Sequence, residues 1–411
     1  MRLRHRISLI AGSGTQKCPA HCAGPCLAIS TERRRTSLIY LDNAATTFPK
    51  PNRVIRAVEK CLSEYCGNPG RGSHPLSLIA AEQIYNCREA LSSFLGVEAP
   101  ERILFTQNTT HALNLAIKGL LKRGDHVLIS ELEHNAVRRP LYRLGAENAV
   151  TFDTFPVVGL PEEAILQGIA RRIRPQTKAV ICTHASNICS ITLPVAAIGA
   201  FCHRCGLKLI VDAAQSAGIL PIHLKKMQID ALALPGHKSL YGIQGCGALA
   251  LGEHFLPSPL WEGGSGVDSR SEEMPTEPPE RYEAGTLPTP AIVGLLEGVR
   301  SLQEEAPDSI AKREKELFVA AKERLLSIPG IHVYAPRQEG AVLLFNKQGV
   351  PSVAIGKQLA DRGICVRAGL HCAPLAHQAL KTPPDGAVRI SFGRYNSLAD
   401  LDALWKALRA E

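Results

Sequence analysis

Apolar positions along this chain follow two periods. Val54, Val58, Leu62 and Tyr65 fall on one face and predict a helix over 54–65, and residues 75–95 predict another. From residue 103, short apolar runs alternate with amphipathic stretches. ILFT (103–106), HVLIS (126–130), AVICTHA (179–185), LKLIVD (207–212), DALALPG (230–236) and GALALG (247–252) are apolar at successive positions. Strands buried on both faces read this way. Between them, residues 109–122 turn Leu113, Ala116, Ile117 and Leu120 inward and stop at Gly124. A helix opens at Pro161, with Glu162 and Glu163 in its first turn and Arg171 and Arg172 near its end, as the helix dipole prefers. Another helix runs from Pro194 to Gly206. The alternation predicts an α/β fold with a mainly parallel sheet.

After helices near 291–303 and 309–327 the pattern changes. IHVYAP, AVLLFN, a helix at 351–362, ICVRAG, VRISFG and a closing helix at 398–409 make a smaller α+β unit. The expected organisation is a large domain over 38–295, whose first residues pack with the small domain, and a small C-terminal domain over 296–411. The Gly-, Pro- and Glu-rich stretch 261–290 reads as a long functional loop. Residues 1–37 have no sustained period and read as a disordered basic extension.

Charge and cysteine content narrow the class. The chain of 411 residues carries a formal charge of +9, but residues 1–37 hold seven Lys/Arg against one acid, Glu32. The other 374 residues carry only +3, with no basic stripe interleaved with aromatics, so nucleic acid is not an expected partner. No run approaches the ~18 apolar residues of a membrane span. Arg2, Arg4 and Arg6 precede ISLIAG, which is too short and polar for a signal peptide. Thirteen scattered cysteines in a chain this long point to a reducing cytoplasm rather than a disulfide scaffold. Cys18, Cys22 and Cys26 are spaced like thiolate ligands of an iron–sulfur cluster. In a cysteine-rich leader that spacing reads as coincidence, and no metal centre is expected. Cys202 and Cys205, inside an amphipathic helix, read as structural.

In open α/β sheets ligands bind at the carboxyl ends of strands. There stand Asn108, Thr109 and Thr110 at a helix start, suited to a phosphate or to a plain helix cap. Glu133, His134 and Asn135 follow HVLIS, and the flat His134 ring suits stacking on a cofactor. Asn187 follows the run at 179–185. Asp212 and Gln215 lie 26 and 23 residues before Lys238 in GHKSLYG, where His237 precedes it. A lysine amine paired with a distant carboxylate is what pyridoxal phosphate needs, one for its Schiff base and one to keep the pyridinium protonated. In VRAGLHCAP, Cys372 lies in a loop flanked by Gly369, His371 and Pro374, a candidate nucleophile with Arg367 and His371 near enough in sequence to favour its thiolate. Arg389 in VRISFG has a planar fork suited to a substrate carboxylate.

YLDNAATT, EHN, THASN, VDAAQSAG, GHKSLYG, RYEAGT and RAGLHCAP occur in an order that resembles the cysteine desulfurases of the class V aminotransferase superfamily, closest to the SUF-type (group II) branch. The resemblance covers residues 38–410. It implies the aspartate aminotransferase-like fold type I and a pyridoxal 5'-phosphate cofactor. It implies catalytic roles for Lys238, Cys372 and His134, with Lys238 as Schiff-base lysine and proton shuttle. Asp212 pairs with the pyridine nitrogen, Gln215 with the phenolic oxygen, and Thr109, Thr110 and His237 with phosphate. Thr286 reaches in from the other subunit of a homodimer. Asn187, which also borders the cofactor, holds L-cysteine together with Arg367 and Arg389. Cys372 takes the sulfur as a persulfide for a sulfur-acceptor protein in iron–sulfur cluster assembly or another sulfur-transfer pathway. Selenocysteine lyase, another class V lyase or an aminotransferase fits the same handles. A non-catalytic pyridoxal-phosphate-binding protein is a further alternative. Three positions depart from the family: Pro235 where a Ser or Thr hydroxyl is common, His111 for a usual Glu, and Ser190 for a common Gly.

Overall fold

The structure, a computed structural model, describes residues 38–409 apart from Arg71, Asp268, Ala306 and 336–339. Residues Ile39–Glu411 form one compact unit. The extension expected at 1–37, with Cys18, Cys22 and Cys26, lies outside the described residues.

The chain opens with a two-residue strand, β1 (Ile39–Tyr40), and two helices, α1 (Asn52–Lys60) and α2 (Pro75–Leu95); a π turn, Cys61–Tyr65, extends α1. Then come β2 (Ile103–Thr106), α3 (Thr109–Leu120), β3 (His126–Ser130), α4 (Asn135–Asn148), β4 (Thr151–Phe155), α5 (Glu162–Ala170), β5 (Thr177–Thr183), α6 (Val195–Arg204), β6 (Lys208–Asp212), β7 (Ala231–Pro235) and β8 (Gly247–Leu251). The order β2-β8-β7-β6-β5-β3-β4 makes one seven-stranded sheet, parallel except for β8, which runs against both its neighbours. The mainly parallel α/β sheet expected from the alternation is therefore present.

Successive strand residues serve opposite cores. Leu209 and Val211 of β6 join one apolar cluster with α2 and α6, while Ile210 between them joins a second with α3 and α4. Burial of both faces explains why these strands are apolar at every position.

Two long helices, α7 (Thr289–Glu304) and α8 (Pro307–Leu326), lead to β9 (Ile331–Tyr334), β10 (Val342–Lys347), α9 (Ser352–Asp361), β11 (Ile364–Cys365), β12 (Arg367–Gly369), α10 (Pro374–Ala379), β13 (Ala387–Ser391) and α11 (Leu398–Arg409). β12-β13-β10-β9 form an antiparallel sheet over a third core that includes Phe318, Phe345, Ile390 and Leu404. The run ICVRAG does not form one strand. Its first half pairs in parallel with β1 and its second half with β13, so the chain changes sheets at Val366. Leu41 is buried in that third core, which ties the start of the unit to its end.

Candidate active site

Strand ends and loops converge on a cavity of about 110 Å³ lined by Asn108, Thr109, Thr110, His134, Asn187, Asp212, Gln215, Pro235, His237 and Lys238, among others. The residues named at strand ends in the large sheet are therefore brought together, except Asn135, which lines a neighbouring cavity, and Glu133, which is buried and accepts from the Thr183 N–H at 2.7 Å. A larger cavity, about 380 Å³, lies at the opposite end of the same strands. Four of its charges pair with one another, Lys208 with Asp230 at 2.8 Å and Lys225 with Glu98.

At the start of α3 the cap is Asn108, whose side chain accepts from the His111 N–H at 3.0 Å. Thr109 is thereby not the cap, and its Oγ1 is buried without a partner. His237 Nδ1 is also buried without one. Two unpartnered polar atoms beside a helix N-terminus suit a phosphate group. Asp212 is 3% exposed, and its Oδ1 accepts from the Ala214 N–H at 2.8 Å. Desolvation raises its carboxyl, opposed by that hydrogen bond and by Lys238. Desolvation lowers Lys238 to about 8, with Asp212 resisting and Arg389 assisting. His134 caps α4, its Nδ1 accepting from the Ala136 N–H at 3.0 Å, so the proton of the neutral ring lies on Nε2. Burial first, then Lys238, takes His134 to about 4, and burial first takes His237 to about 4. These donors and the carboxylate fit pyridoxal phosphate.

The backbone carrying His237 and Lys238 is held from the YLDNAATT run. The His237 carbonyl accepts from Thr46 Oγ1 (3.0 Å), Thr47 N (3.2 Å) and Lys50 Nζ (2.7 Å), and the Lys238 carbonyl from Thr47 Oγ1 (2.9 Å). Burial lowers Lys50 to about 8. Asp42 from the same run bridges both arginines: its Oδ1 accepts from Arg389 Nη2 and its Oδ2 from Arg367 Nη2, each at 2.8 Å. Arg389 also donates to the Asn187 carbonyl at 3.0 Å, while its buried Nε has no partner. The sequence pattern by itself assigns no role to Asp42, Thr46, Thr47 or Lys50. Their signal was a polar cluster at a chain start, and its meaning depends on contacts nearly 200 to 350 residues away.

Cys372 is exposed and lines a second cavity of about 320 Å³ together with Thr110, His134, Ala136 and the cationic Lys118, Arg139 and Arg143. The two cavities share Thr110, His134 and Ala136. His371 does not supply the positive charge expected of it, because burial and Arg389 push its ring down to about 3. Thr286 is exposed and lines neither cavity of this chain. All three family departures have a structural context: the His111 Nδ1 accepts from the Gln107 N–H at 3.2 Å and its ring lies against Trp261, with centroids 4.3 Å apart. Pro235 ends β7 and lines the first cavity. Ser190 sits at φ 52°, the left-handed region that favours glycine, and its Oγ donates to the Val342 carbonyl (2.7 Å) and accepts from the Val342 N–H (2.9 Å).

Comparison with known proteins agrees with this geometry. A probable cysteine desulfurase of Pyrococcus abyssi is 33% identical over 394 residues, covering 91% of this chain and 96% of that protein. One from Mycolicibacterium paratuberculosis is 33% identical over 381 residues; the match covers 90% of this chain but only 55% of that longer protein. The apo structure of a cysteine desulfurase from Thermococcus onnurineus superposes with a TM-score of 0.85 at 31% identity, over 91% of this chain and 94% of the other. The fold is thus that of the fold type I pyridoxal phosphate enzymes. The aminotransferase class-V family matches residues 39–404, and the chain belongs to that family of pyridoxal-phosphate-dependent enzymes.

Proposed function

We propose that this protein is a cysteine desulfurase that converts L-cysteine to L-alanine and retains the sulfur on Cys372 as a persulfide. The observation that carries this reading is an exposed thiol at the mouth of the lysine-containing cavity, separated from it by residues common to both. When bound, pyridoxal phosphate acts as the electron sink for bonds at the substrate Cα. Thr109, Thr110 and His237 hold its phosphate, Asp212 its ring nitrogen and Gln215 its phenolic oxygen, and His134 covers the ring. Asn187, Arg367 and Arg389 orient the substrate carboxylate. Lys238, with its amine drawn down to about 8, moves the proton at Cα near neutral pH. The Cys372 thiolate attacks the substrate sulfur: an S–S bond forms, the C–S bond breaks, its electron pair stays with carbon, and protonation gives alanine.

The large domain 38–295 carries the cofactor and the small domain 296–411 carries the sulfur-accepting loop. Thr286 completes the site of a second copy in a homodimer, a role consistent with its exposure in a Gly/Pro-rich loop. The ten described cysteines are all free, which supports a reducing cytoplasm, and no described helix is long and apolar enough to cross a membrane. The persulfide passes to an acceptor protein, as in SUF-type iron–sulfur cluster assembly.

The test is to incubate purified protein with L-cysteine and an added dithiol, which reduces the persulfide and releases its outer sulfur as sulfide, and to quantify alanine and sulfide together. Both should accumulate, and Lys238→Ala should lose turnover and the bound cofactor's visible absorbance. A protein that takes up no pyridoxal phosphate, or makes no alanine, contradicts the proposal.

A further inference from the structure

The Cys372 thiol is carried by two consecutive non-glycine residues in left-handed backbone, His371 at φ 51° and Cys372 at φ 56°. Such a pair persists only where its surroundings over-determine it. Two main-chain bonds contribute. Asn187 Nδ2 donates to the His371 carbonyl at 2.9 Å, and the Asn135 N–H donates to the Cys372 carbonyl at 2.7 Å.

A third hold runs through side chains. His371 Nε2 lies 3.2 Å from the Arg367 carbonyl, His371 Nδ1 lies 3.1 Å from His377 Nε2, and His377 Nδ1 lies 2.9 Å from Thr382 Oγ1. The two ring planes are 12° apart, with centroids separated by 5.4 Å. That is about the greatest separation a 3.1 Å nitrogen–nitrogen contact allows, so the rings meet end to end, nearly in one plane, rather than face to face.

The far end of this chain forces its proton order. A carbonyl only accepts, so His371 Nε2 carries a proton. In a neutral ring Nδ1 then accepts, so His377 Nε2 must donate. His377 Nδ1 accepts in turn, and its donor is the Thr382 hydroxyl. The opposite order would set a nitrogen lone pair against the Arg367 carbonyl. Both rings are neutral near pH 7, since burial takes His371 to about 3 and His377 to about 4. Neither His377 nor Thr382 lines either cavity.

We propose that Thr382 and His377 are positioning residues for the sulfur-accepting thiol: by fixing the His371 ring from behind, they hold the strained His371–Cys372 pair that presents Cys372 to the lysine cavity. This rests on the reading of Cys372 as sulfur acceptor.

Thr382→Val keeps the side-chain shape and removes the terminal donor. It should lower kcat for alanine formation about 10- to 100-fold, the range for loss of a supporting hydrogen bond or a misplacement near 1 Å. KM for L-cysteine and the bound cofactor's absorbance should stay at wild-type values, and Thr382→Ser should restore kcat. Nitrogen-15 NMR of ring-labelled histidine in the unmodified protein should show His371 and His377 both as the Nε2–H form, a readout that needs no variant to fold. An unchanged kcat in both Thr382→Val and His377→Gln, or an Nδ1–H form at either ring, overturns the proposal. Cys372→Ser run alongside separates the two readings. Loss there with full activity in both Thr382→Val and His377→Gln removes the positioning role alone, whereas full activity in Cys372→Ser removes the sulfur-acceptor reading beneath it.

Discussion

Removing the Asp42 carboxylate should destabilise the protein by about 3–5 kcal/mol, the cost of stranding one partner of a buried ion pair. The Arg389 side chain is 3% exposed and that of Asp42 11%. Without Asp42, the buried guanidinium keeps one donor bond to the Asn187 carbonyl and has no counter-charge in contact. The Arg367 side chain is 51% exposed, so its bond to Asp42 adds less than about 1 kcal/mol. For a compact unit of about 370 residues, the unfolding entropy is about 0.8 kcal/mol per kelvin. Asp42→Ala should therefore lower Tm by about 4–6 °C, while Arg367→Gln should cost no more than about 1 °C. Asp42→Asn, which keeps an acceptor and loses the charge, should fall between. Thermal unfolding followed by circular dichroism at neutral pH measures all three. An Asp42→Ala Tm within 1 °C of wild type, or an Arg367→Gln loss as large as that of Asp42→Ala, would refute the reasoning.

Stability of the cofactor-free protein should peak near pH 6.5. Burial depresses His134, His184, His237, His371 and His377 to about 3–4, so below pH 6.5 the unfolded chain binds protons that the fold refuses and stability falls. Glu133 and Glu314 are raised by burial to about 8, so stability also falls as pH rises through 6.5–8, and a Tm still climbing across that range contradicts the assignment. Pro235→Thr should tighten pyridoxal phosphate binding about tenfold or more by adding a hydroxyl to a charged acceptor, as measured by equilibrium dialysis; unchanged affinity would place the phosphate elsewhere. Ser190→Ala should lose about 1–3 kcal/mol with its two bonds to Val342, and Ser190→Gly about 1 kcal/mol less because glycine carries no left-handed strain. An alanine variant as stable as the glycine variant in urea titrations would remove the strain argument.

The strands of the large sheet were legible because both their faces are buried, which turns them into unbroken apolar runs. β4 was not legible, because it is an edge strand with a mostly solvent-accessible TFDTF sequence. α4 was hidden by Pro140 in its interior and Gly145 near its end. ICVRAG looked like one strand because a change of sheet leaves no mark on apolarity. Among the site residues, those at strand ends were found from position alone. The Asp42 bridge and the Thr46–Thr47–Lys50 hold on the His237–Lys238 backbone escaped because each joins segments that only the fold brings together, and the Thr382–His377–His371 chain escaped because its order depends on how the loop folds.

The central claim is tested most directly by treating the pyridoxal-phosphate-loaded protein with L-cysteine and mapping the peptide carrying Cys372 by mass spectrometry while counting alanine. One added sulfur on Cys372 should appear with alanine, and Cys372→Ser should form neither persulfide nor appreciable alanine while still binding the cofactor. Wild-type turnover of L-cysteine by Cys372→Ser would contradict the account.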